Sequence, residues 1–128
     1  METCITDGIQ VSVQPRFEQK AVHMGKDVFF FSYHISITNL SSAPVKLLHR
    51  KWSIFDGNGN YREVEGPGVI GKQPEINPGA MFSYTSGCDI ISNFGYMEGT
   101  YVFMNQLNRT LLVVRIPRFK MEVPWALN

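Results

Sequence analysis

The chain has 128 residues, of which 44% are hydrophobic and 18% are charged, and its formal net charge is +1. This length fits one domain of ordinary size, and it suffices to bury a core without disulfides or metal ions. The composition excludes a disordered chain and an integral membrane protein. A nearly neutral balance also argues against a protein that coats nucleic acid, which would be strongly basic.

The cysteines and the two ends of the chain predict the compartment. Residues 1–8 and 124–128 are expected to be flexible ends, and because Cys4 lies in the first of them, a disulfide with Cys88 is not expected. Residues 1–8 lack the basic and apolar stretches of a signal peptide. The longest apolar runs have four residues, whereas a membrane span needs about 20. The expected location is the cytoplasm, with reduced thiols and no membrane span.

A period of two dominates the first half of the chain. Between Phe29 and Ile37 every second residue is large and apolar, while the residues between are mostly polar, as in a strand with one face on a core. The following sequence NLSSAP has turn chemistry. Residues 45–55 then alternate again. On this second strand the residues predicted on the buried face are Leu48, Trp52 and Ile54.

Short strands separated by turn signals continue to the end of the chain. The other strands are predicted near residues 9–13, 61–65, 81–85, 99–104, 110–116 and 119–123. Pro15 is expected to stop the first of them, and the helical spacing of residues 16–24 lacks a capping residue. This pattern predicts an all-β fold, an immunoglobulin-like or fibronectin type III-like antiparallel β-sandwich of about seven to eight strands. A small closed barrel is the alternative.

The glycine-rich segment 64–74, VEGPGVIGKQP, is the most distinctive motif. Gly66, Gly68 and Gly71 match G-x-G-x-x-G, which holds a pyrophosphate in dinucleotide-binding folds. No helical pattern follows this string and no βαβ unit surrounds it, so a dinucleotide-binding fold is excluded. Two interpretations stay open. The glycines shape a connection between strands, or they form an anion-binding nest to which Lys72 adds positive charge.

Arg50 has the parity of the buried face of its strand, so its side chain is expected to point toward the core. A buried guanidinium needs a partner. Either Arg50 forms an ion pair, or it lies at a sheet edge and receives an anionic ligand or a partner chain. The acidic candidates are Glu63, Glu65, Asp89 and Glu98. The candidate anion-binding or nucleotide-binding residues are therefore Gly66, Gly68, Gly71, Lys72 and Arg50.

Patterns for metal binding and catalysis are weak. The three histidines lack H-x-H and H-x-x-x-H spacing and no C-x-x-C pair occurs, so no metal and no cofactor are predicted. A cross-strand site built from His34, His49 and Cys88 is the alternative. Ser86 lacks the G-x-S-x-G context of a nucleophile, and Cys88 has no identifiable histidine partner. We therefore predict that the protein is not an enzyme.

A binding surface is predicted from apolar residues on the faces opposite the core. These residues are Phe30, Phe55, Val102 and Met104. Gathered into one patch, they would mark an interface with an unidentified protein partner or with a second copy in a homodimer. The C-terminal segment adds a basic rim and an aromatic anchor, which suit an interface or a solvated tail. These residues are Arg115, Arg118, Lys120 and Trp125.

Several ordered motifs resemble those of the ApaG family. Residues 64–74 resemble its glycine motif V-x-G-x-G-V-V-G-x-Q-P, and residues 47–52, LLHRKW, resemble its L-L-x-R-x-W strand. Residues 78–87 are similar to P-G-x-x-F-x-Y-T-S-G, and residues 95–101 are similar to G-x-M-x-G-x-Y. The similarity runs from about residue 11 to residue 124, which is nearly the whole chain.

The resemblance implies one ApaG domain over residues 1–128 with a fibronectin III-like sandwich. It implies a non-enzymatic protein-interaction module associated with cobalt resistance and magnesium efflux. The family's domain also occurs at the end of certain eukaryotic F-box-only and polymerase-delta-interacting proteins, where it is thought to contact other proteins. In many bacteria its gene neighbours that of diadenosine tetraphosphate hydrolase, so a nucleotide or pyrophosphate is the alternative ligand. Pro67 departs from the acidic or polar residue of many members and removes one N–H from the nest.

Overall fold

The alternating residues form nine β-strands in a computed structural model that describes residues 1–127. The elements are β1 (Glu2–Thr6), β2 (Ile9–His23), β3 (Lys26–Asn39), β4 (Val45–Asp56), β5 (Tyr61–Pro67), β6 (Glu75–Ile76), β7 (Met81–Ile90), β8 (Phe94–Asn105), β9 (Leu111–Glu122) and a terminal 3-10 turn (Pro124–Leu127). Within residues 1–127 no helix is long and apolar enough to cross a membrane.

The strands form two antiparallel sheets. Sheet A has the order β1-β2-β3-β7, and sheet B has the order β5-β4-β8-β9 with the short β6 also paired to β4. The two sheets are separate, so the prediction of an antiparallel β-sandwich is confirmed and the closed barrel is not the observed fold. The strands beyond the predicted seven to eight include β1 and the two-residue β6, which are too short for a clear periodic pattern.

The inward faces of both sheets build one hydrophobic core. The apolar stripe from Phe29 to Ile37 is buried as its period of two predicted. Sheet B contributes Tyr101, Phe103 and Phe119, which are fully buried. Aromatic rings connect the two layers, with Tyr33 of sheet A packing edge-on against Trp52 of sheet B at 5.2 Å between ring centroids.

A β-bulge corrects the predicted buried face of β4. The pairing between β4 and β8 shifts register between Leu47 and His49. Leu47 is therefore fully buried, while Leu48 is only half-buried. Trp52 and Ile54, beyond the shift, are buried as predicted. An extra residue on one strand changes the parity of everything before it, and strict alternation counted from the sequence misses this change.

Pro15 does not end the second strand, and residues 16–24 are not helical. Strand β2 continues to His23 and pairs with β3 along its length. A bond from Leu40 N to Gly8 O fixes the phase of this ladder. Up to the bulge after Phe17, the even-numbered residues of β2 therefore bond to β3, and the N side of Pro15 faces the other way. Because β1 ends its pairing at Val13, Pro15 removes no ladder hydrogen bond.

Both ends of the chain carry structure where flexibility was expected. Residues 2–6 form β1, because this segment finds pairing partners along β2. At the other end, residues 124–127 form a 3-10 turn, and the ring of Trp125 packs edge-on against Phe17 at 5.2 Å. Asn128 lies outside the described residues. Tertiary contacts therefore order segments whose local sequence has little propensity of its own.

Asn39 is the one fully buried polar side chain found within residues 1–127. Its amide nitrogen donates to the carbonyl oxygens of Ala43 and Ile76, both at 2.9 Å. Its amide oxygen accepts from the backbone N–H and the hydroxyl of Ser41. Asn39 thereby connects the end of β3 to the next turn and to β6, and all four bonds form in a low-dielectric interior where an unmade bond is costly.

Replacement of Asn39 by alanine is expected to destabilise the fold by about 3 kcal/mol, because two carbonyls and one N–H lose their buried partner. Urea denaturation followed by circular dichroism measures this loss. Asn58→Ala is the matched control, since its exposed side chain accepts only one bond, from Asn60 N, and we expect a loss below about 1 kcal/mol there. Equal losses in the two variants would contradict this role of Asn39.

Candidate functional site

The glycine-rich segment is fastened to the bulge of β4. The Leu48 carbonyl oxygen accepts two hydrogen bonds from this segment, one from Gly68 N at 2.9 Å and one from Gln73 Nε2 at 3.0 Å. Leu47 N in turn donates to Pro74 O at 3.0 Å. The Leu48–Gly68 bond continues the β4–β5 register and the Leu47–Pro74 bond continues the β4–β6 register. The bulge therefore lies where the partner of β4 changes from β6 to β5.

A tight turn forms the tip of this segment. Val69 N donates to Lys72 O at 2.8 Å, and Lys72 N donates to Val69 O at 2.9 Å. The two residues between have positive φ angles, 43° at Ile70 and 75° at Gly71, as a type I′ turn requires. At Gly68, where φ is 57°, an added Cβ would lie 2.0 Å from Lys72 O, so only glycine fits.

Most amide groups of the proposed nest are already engaged. Gly68, Val69 and Lys72 donate to carbonyls of the protein, and Pro67 has no N–H. Within residues 1–127 the remaining loop amides, those of Ile70 and Gly71 at the turn and of Gln73 after it, have no protein acceptor. They adjoin a depression of about 340 Å³ that is lined by Pro67, Gly71, Lys72 and Gln73. Lys72 is exposed at this depression.

Arg50 lies beneath the same segment and binds its backbone. The guanidinium donates to Pro67 O at 3.0 Å and to Gly68 O at 2.9 Å. Among residues 1–127 no ion pair includes Arg50, so the predicted ion pair is wrong for the residues described. The four acidic candidates pair with other cations. These pairs are Glu63 with Lys51, Glu65 with His49, Asp89 with Arg62 and Glu98 with Arg118.

Buried tyrosines surround the inner side of Arg50. The hydroxyls of Tyr84 and Tyr101 hydrogen-bond to each other across the two sheets. Burial raises the pKa of both phenols above the ordinary value, and the nearby Arg50 charge opposes this rise only weakly. Burial likewise raises the pKa of Tyr33, although a hydrogen bond with Ser86 lowers it. These phenols are therefore neutral at pH 7 and serve as interior hydrogen-bonding groups.

Arg50→Met is expected to loosen the glycine-rich segment, because the carbonyls of Pro67 and Gly68 lose their donor. We expect a loss of about 2 kcal/mol in the free energy of unfolding. Hydrogen exchange at the Gly68 and Val69 amides should become at least about tenfold faster. Arg16→Met, at an exposed guanidinium, is the control and should cost less than about 0.5 kcal/mol. Unchanged hydrogen exchange at the Gly68 amide in the Arg50 variant would disprove the view that Arg50 holds the glycine-rich segment in place.

The outer face of sheet B carries an aromatic row. Phe55 of β4 lies opposite Tyr61 on one side and Tyr96 on the other. Its ring is 4.8 Å from the Tyr61 ring and stacks on the Tyr96 ring at 4.4 Å. The Arg118 guanidinium covers the Tyr96 ring at 4.2 Å, and two bonds to the Glu98 carboxylate hold it there. The row is thus a preformed aromatic surface with a fixed cation.

An apolar row lies on the same face, toward the other end of the strands. Val102 pairs with Val113, and Met104 pairs with Leu111. Leu111 is 64% exposed and Val113 is 59% exposed. Charged side chains separate the two rows. Among them is the Lys51–Glu63 ion pair, with 3.7 Å between Nζ and Oε2, and beside it His49 Nε2 lies 3.9 Å from a Glu65 carboxylate oxygen.

The structure therefore brings together part of the predicted binding surface. Phe55 and Arg118 share the aromatic row, and Val102 and Met104 share the apolar row. Phe30 instead lies on sheet A, and Trp125 packs on Phe17. The four other members of the rows are not among the residues predicted from the sequence. These are Tyr61, Tyr96, Leu111 and Val113. Alternation within each strand gives their parity, but only the strand register places them beside Phe55 and Val102.

The outer face of sheet A is mostly polar by contrast, although Ile5, Phe30 and Met81 are exposed there. Hydroxyl pairs such as Thr3–Ser12 and Ser36–Ser83 lie across its strands. His34 hydrogen-bonds to the Thr85 hydroxyl on this face, whereas His49 belongs to sheet B. Within the described part of the chain no three His, Cys, Asp or Glu side chains form a metal-binding group. Burial raises the pKa of Cys88 to about 11, so its sulfur is a neutral thiol at pH 7.

Two separate antiparallel sheets around one core define the class of protein, a small all-β sandwich domain. The family model described as "ApaG domain" matches residues 19–105. Protein ApaG from Methylorubrum extorquens (strain PA1) is 42% identical over 119 residues, which cover 93% of this chain and 91% of the relative. The chain therefore belongs to the ApaG family, and the resemblance found in its motifs is confirmed.

Two solved structures are similar over nearly the whole chain. An X-ray structure of a structural genomics target has a TM-score of 0.89 at 33% identity, with 94% of this chain and 91% of that chain covered. A crystal structure of a Bordetella pertussis protein given the name ApaA has a TM-score of 0.80 at 38% identity, with coverages of 91% and 94%. The sandwich described above is thus the fold of this family.

Proposed function

We propose that the protein is a non-enzymatic interaction module that binds a protein partner on the outer face of sheet B. The observation that carries this proposal is the aromatic row of Tyr61, Phe55 and Tyr96 with Arg118 held over it. Tyrosine and arginine are enriched at the energetic centres of protein interfaces. Folded domains rarely expose such groups together without a partner.

The geometry of the aromatic row favours binding in two further ways. Each ring is packed against its neighbour and the Arg118 guanidinium is held by Glu98, so little side-chain freedom is lost when a partner docks. The charges between the rows are already paired, as in Lys51–Glu63. They would form a polar region beside the aromatic contact, which favours specificity more than affinity.

The candidate nucleophiles support a non-enzymatic role. The Cys88 thiol has a pKa of about 11, and the causes are burial and nearby carboxylates, whereas a nucleophilic cysteine needs a lowered pKa. Ser86 lies opposite the buried Tyr33 in the β3–β7 ladder, and within residues 1–127 it has no hydrogen bond to a histidine base. These environments suit structural groups.

Membership of the ApaG family connects this proposal with a process. Within the family, cobalt resistance and magnesium efflux are the associated traits, and we propose that this chain acts in the same process from the cytoplasm. Interaction with a second protein is the route that requires no metal site in the domain itself. The surface through which it acts would then be the aromatic row.

Tyr61→Ala should weaken partner binding about 30-fold, because truncation of a central aromatic side chain costs about 2 kcal/mol. Benzoylphenylalanine in place of Tyr61 captures the partner by photo-crosslinking in cells, and the affinity of the purified partner is then measured. Tyr61→Phe keeps the ring and should bind within about threefold of wild type. Val22→Ala, at an exposed residue of sheet A, is the control for the opposite sheet and should bind normally.

The same variants are then compared in a strain that lacks its own copy of the protein. Wild type and Val22→Ala should restore growth in cobalt, and Tyr61→Ala should not. Partner affinity that is unchanged by Tyr61→Ala would refute the aromatic row as the binding surface. Full rescue by Tyr61→Ala would separate the row from metal resistance.

Phosphate binding at the glycine-rich segment is the second candidate function. The observation in its favour is the pair of outward amides at Ile70 and Gly71 beside the exposed Lys72. Such a turn offers few donors, because Gly68, Val69 and Lys72 amides are engaged and Arg50 is bound to the carbonyls of Pro67 and Gly68. The candidate site residues Gly66, Gly68, Gly71, Lys72 and Arg50 therefore divide into two accessible residues, Gly71 and Lys72, and three that support the loop.

If this second function holds, millimolar pyrophosphate or diadenosine tetraphosphate raises the melting temperature. A tenfold excess of ligand over Kd stabilises the fold by about 1.4 kcal/mol, which corresponds to a shift of a few degrees. Lys72→Ala should abolish the shift, and Lys26→Ala, at the exposed lysine that begins β3, should retain it. A melting temperature that neither ligand changes would exclude phosphate binding at this turn.

A further inference from the structure

Three of the four sheet edges are protected. Strands β1 and β9 cover each other, since Cys4 Sγ donates to Arg115 O and Arg115 N donates to Thr6 Oγ1, each at 3.2 Å. Strand β5 bears a run of charged side chains that disfavours the addition of another strand. This run consists of Arg62, Glu63 and Glu65.

Within residues 1–127, strand β7 is the least protected edge, since only its end is covered, where Arg62 of β5 bonds to Asp89. Its ten residues contain no proline and one charged side chain, that of Asp89. Its pairing with β3 is continuous, without the register shifts that interrupt the β2–β3, β4–β8 and β8–β9 pairs. A long, straight and nearly uncharged edge is the kind that pairs readily with a further strand.

The ladder shows which backbone groups face outward. Asn39 N donates to Ala80 O at 3.0 Å, so even-numbered residues of β7 bond to β3 and odd-numbered residues point their N–H and C=O away from it. A bond from Arg62 Nη2 to Asp89 O, on that outer side, agrees with this phase. The outward residues are Met81, Ser83, Thr85, Gly87 and Asp89.

These five residues are symmetric about Thr85. Antiparallel pairing of two β7 strands around a two-fold axis at Thr85 joins the three central residues, with Ser83 opposite Gly87 of the second copy. At each end Asp89, whose carbonyl already accepts a hydrogen bond from Arg62 Nη2, lies opposite Met81 of the second copy. No like charges then face each other. On the inner side Phe82 lies opposite Cys88 of the second copy, and both are partly buried side chains at the margin of the core. A net charge of +1 adds little repulsion between copies.

We propose that β7 pairs with β7 of a second copy, so that sheet A continues across a two-fold axis through Thr85. The contact is isologous and closes on itself, which gives a dimer and not a filament. It leaves the outer face of sheet B free in both copies. The dimer is therefore independent of the protein-interaction role proposed for that face.

Introduction of a charge at Thr85 tests this pairing. Thr85 is exposed and its side chain lies on the outer face of sheet A. Thr85→Glu and Thr85→Lys each place like charges across the axis, whereas a mixture of the two variants places opposite charges there. Sedimentation equilibrium between about 1 µM and 1 mM should show a dimer for wild type and monomers for each variant alone. The mixture should regain the dimer.

Gln14→Glu is the matched control, because it adds a charge on the same outer face but two strands away from the edge. It should dimerise as wild type does. In wild type, the amides of Ser83, Thr85 and Gly87 should exchange more slowly as the protein concentration rises. Circular dichroism confirms that each variant is folded.

Two results would overturn the proposal. Wild type that stays monomeric at 1 mM would show that β7 is unpaired or is reserved for an extended segment of another protein. A wild-type dimer that both Thr85 variants retain, with no concentration-dependent protection of the Ser83 amide, would place the dimer contact on another surface.

Discussion

The hydrogen bonds to the carbonyl group of Leu48 fasten the glycine-rich segment to sheet B, and the position of that segment depends on them. This carbonyl lies at the bulge in β4, and Gly68 N and Gln73 Nε2 both donate to it. Arg50, two residues on, holds the segment from beneath through the carbonyls of Pro67 and Gly68. Bulge, arginine and glycines are therefore one unit, since each satisfies backbone groups that another exposes. This unit explains why a string that resembles a phosphate-binding motif can serve architecture first.

The two outer faces of the sandwich have different chemistry. Sheet A presents short hydroxyl side chains that bond to one another, as Ser36 does with Ser83. Sheet B presents stacked aromatic rings and exposed aliphatic side chains, with paired charges between them. Burial in the core does not explain the side-chain composition of either outer face, because both faces point to solvent. The difference is the basis of the proposal that a protein partner binds to sheet B.

The two proposed interactions use different parts of the molecule, one a sheet edge and the other a sheet face. The β1–β9 side is closed by hydrogen bonds involving Cys4 and Arg115, and β5 is charged. The open β7 edge offers directed backbone groups, while the aromatic row offers area and shape. Self-association through the first and partner binding through the second could occur in the same assembly without competition.

The sequence by itself determined the fold class, the stripe from Phe29 to Ile37 and the presence of a special loop at residues 64–74, because alternation and turn chemistry are local properties. It also gave the family, since several motifs occur in the right order. Only the tertiary structure decided which groups Arg50 binds, which face of β4 Leu48 occupies and which rings pack against Phe55. Each of these depends on the register between strands far apart in the chain, and a bulge of one residue changes it. The path of β2 through Pro15 belongs to the same group, because pairing with β3 outweighed a local signal to stop.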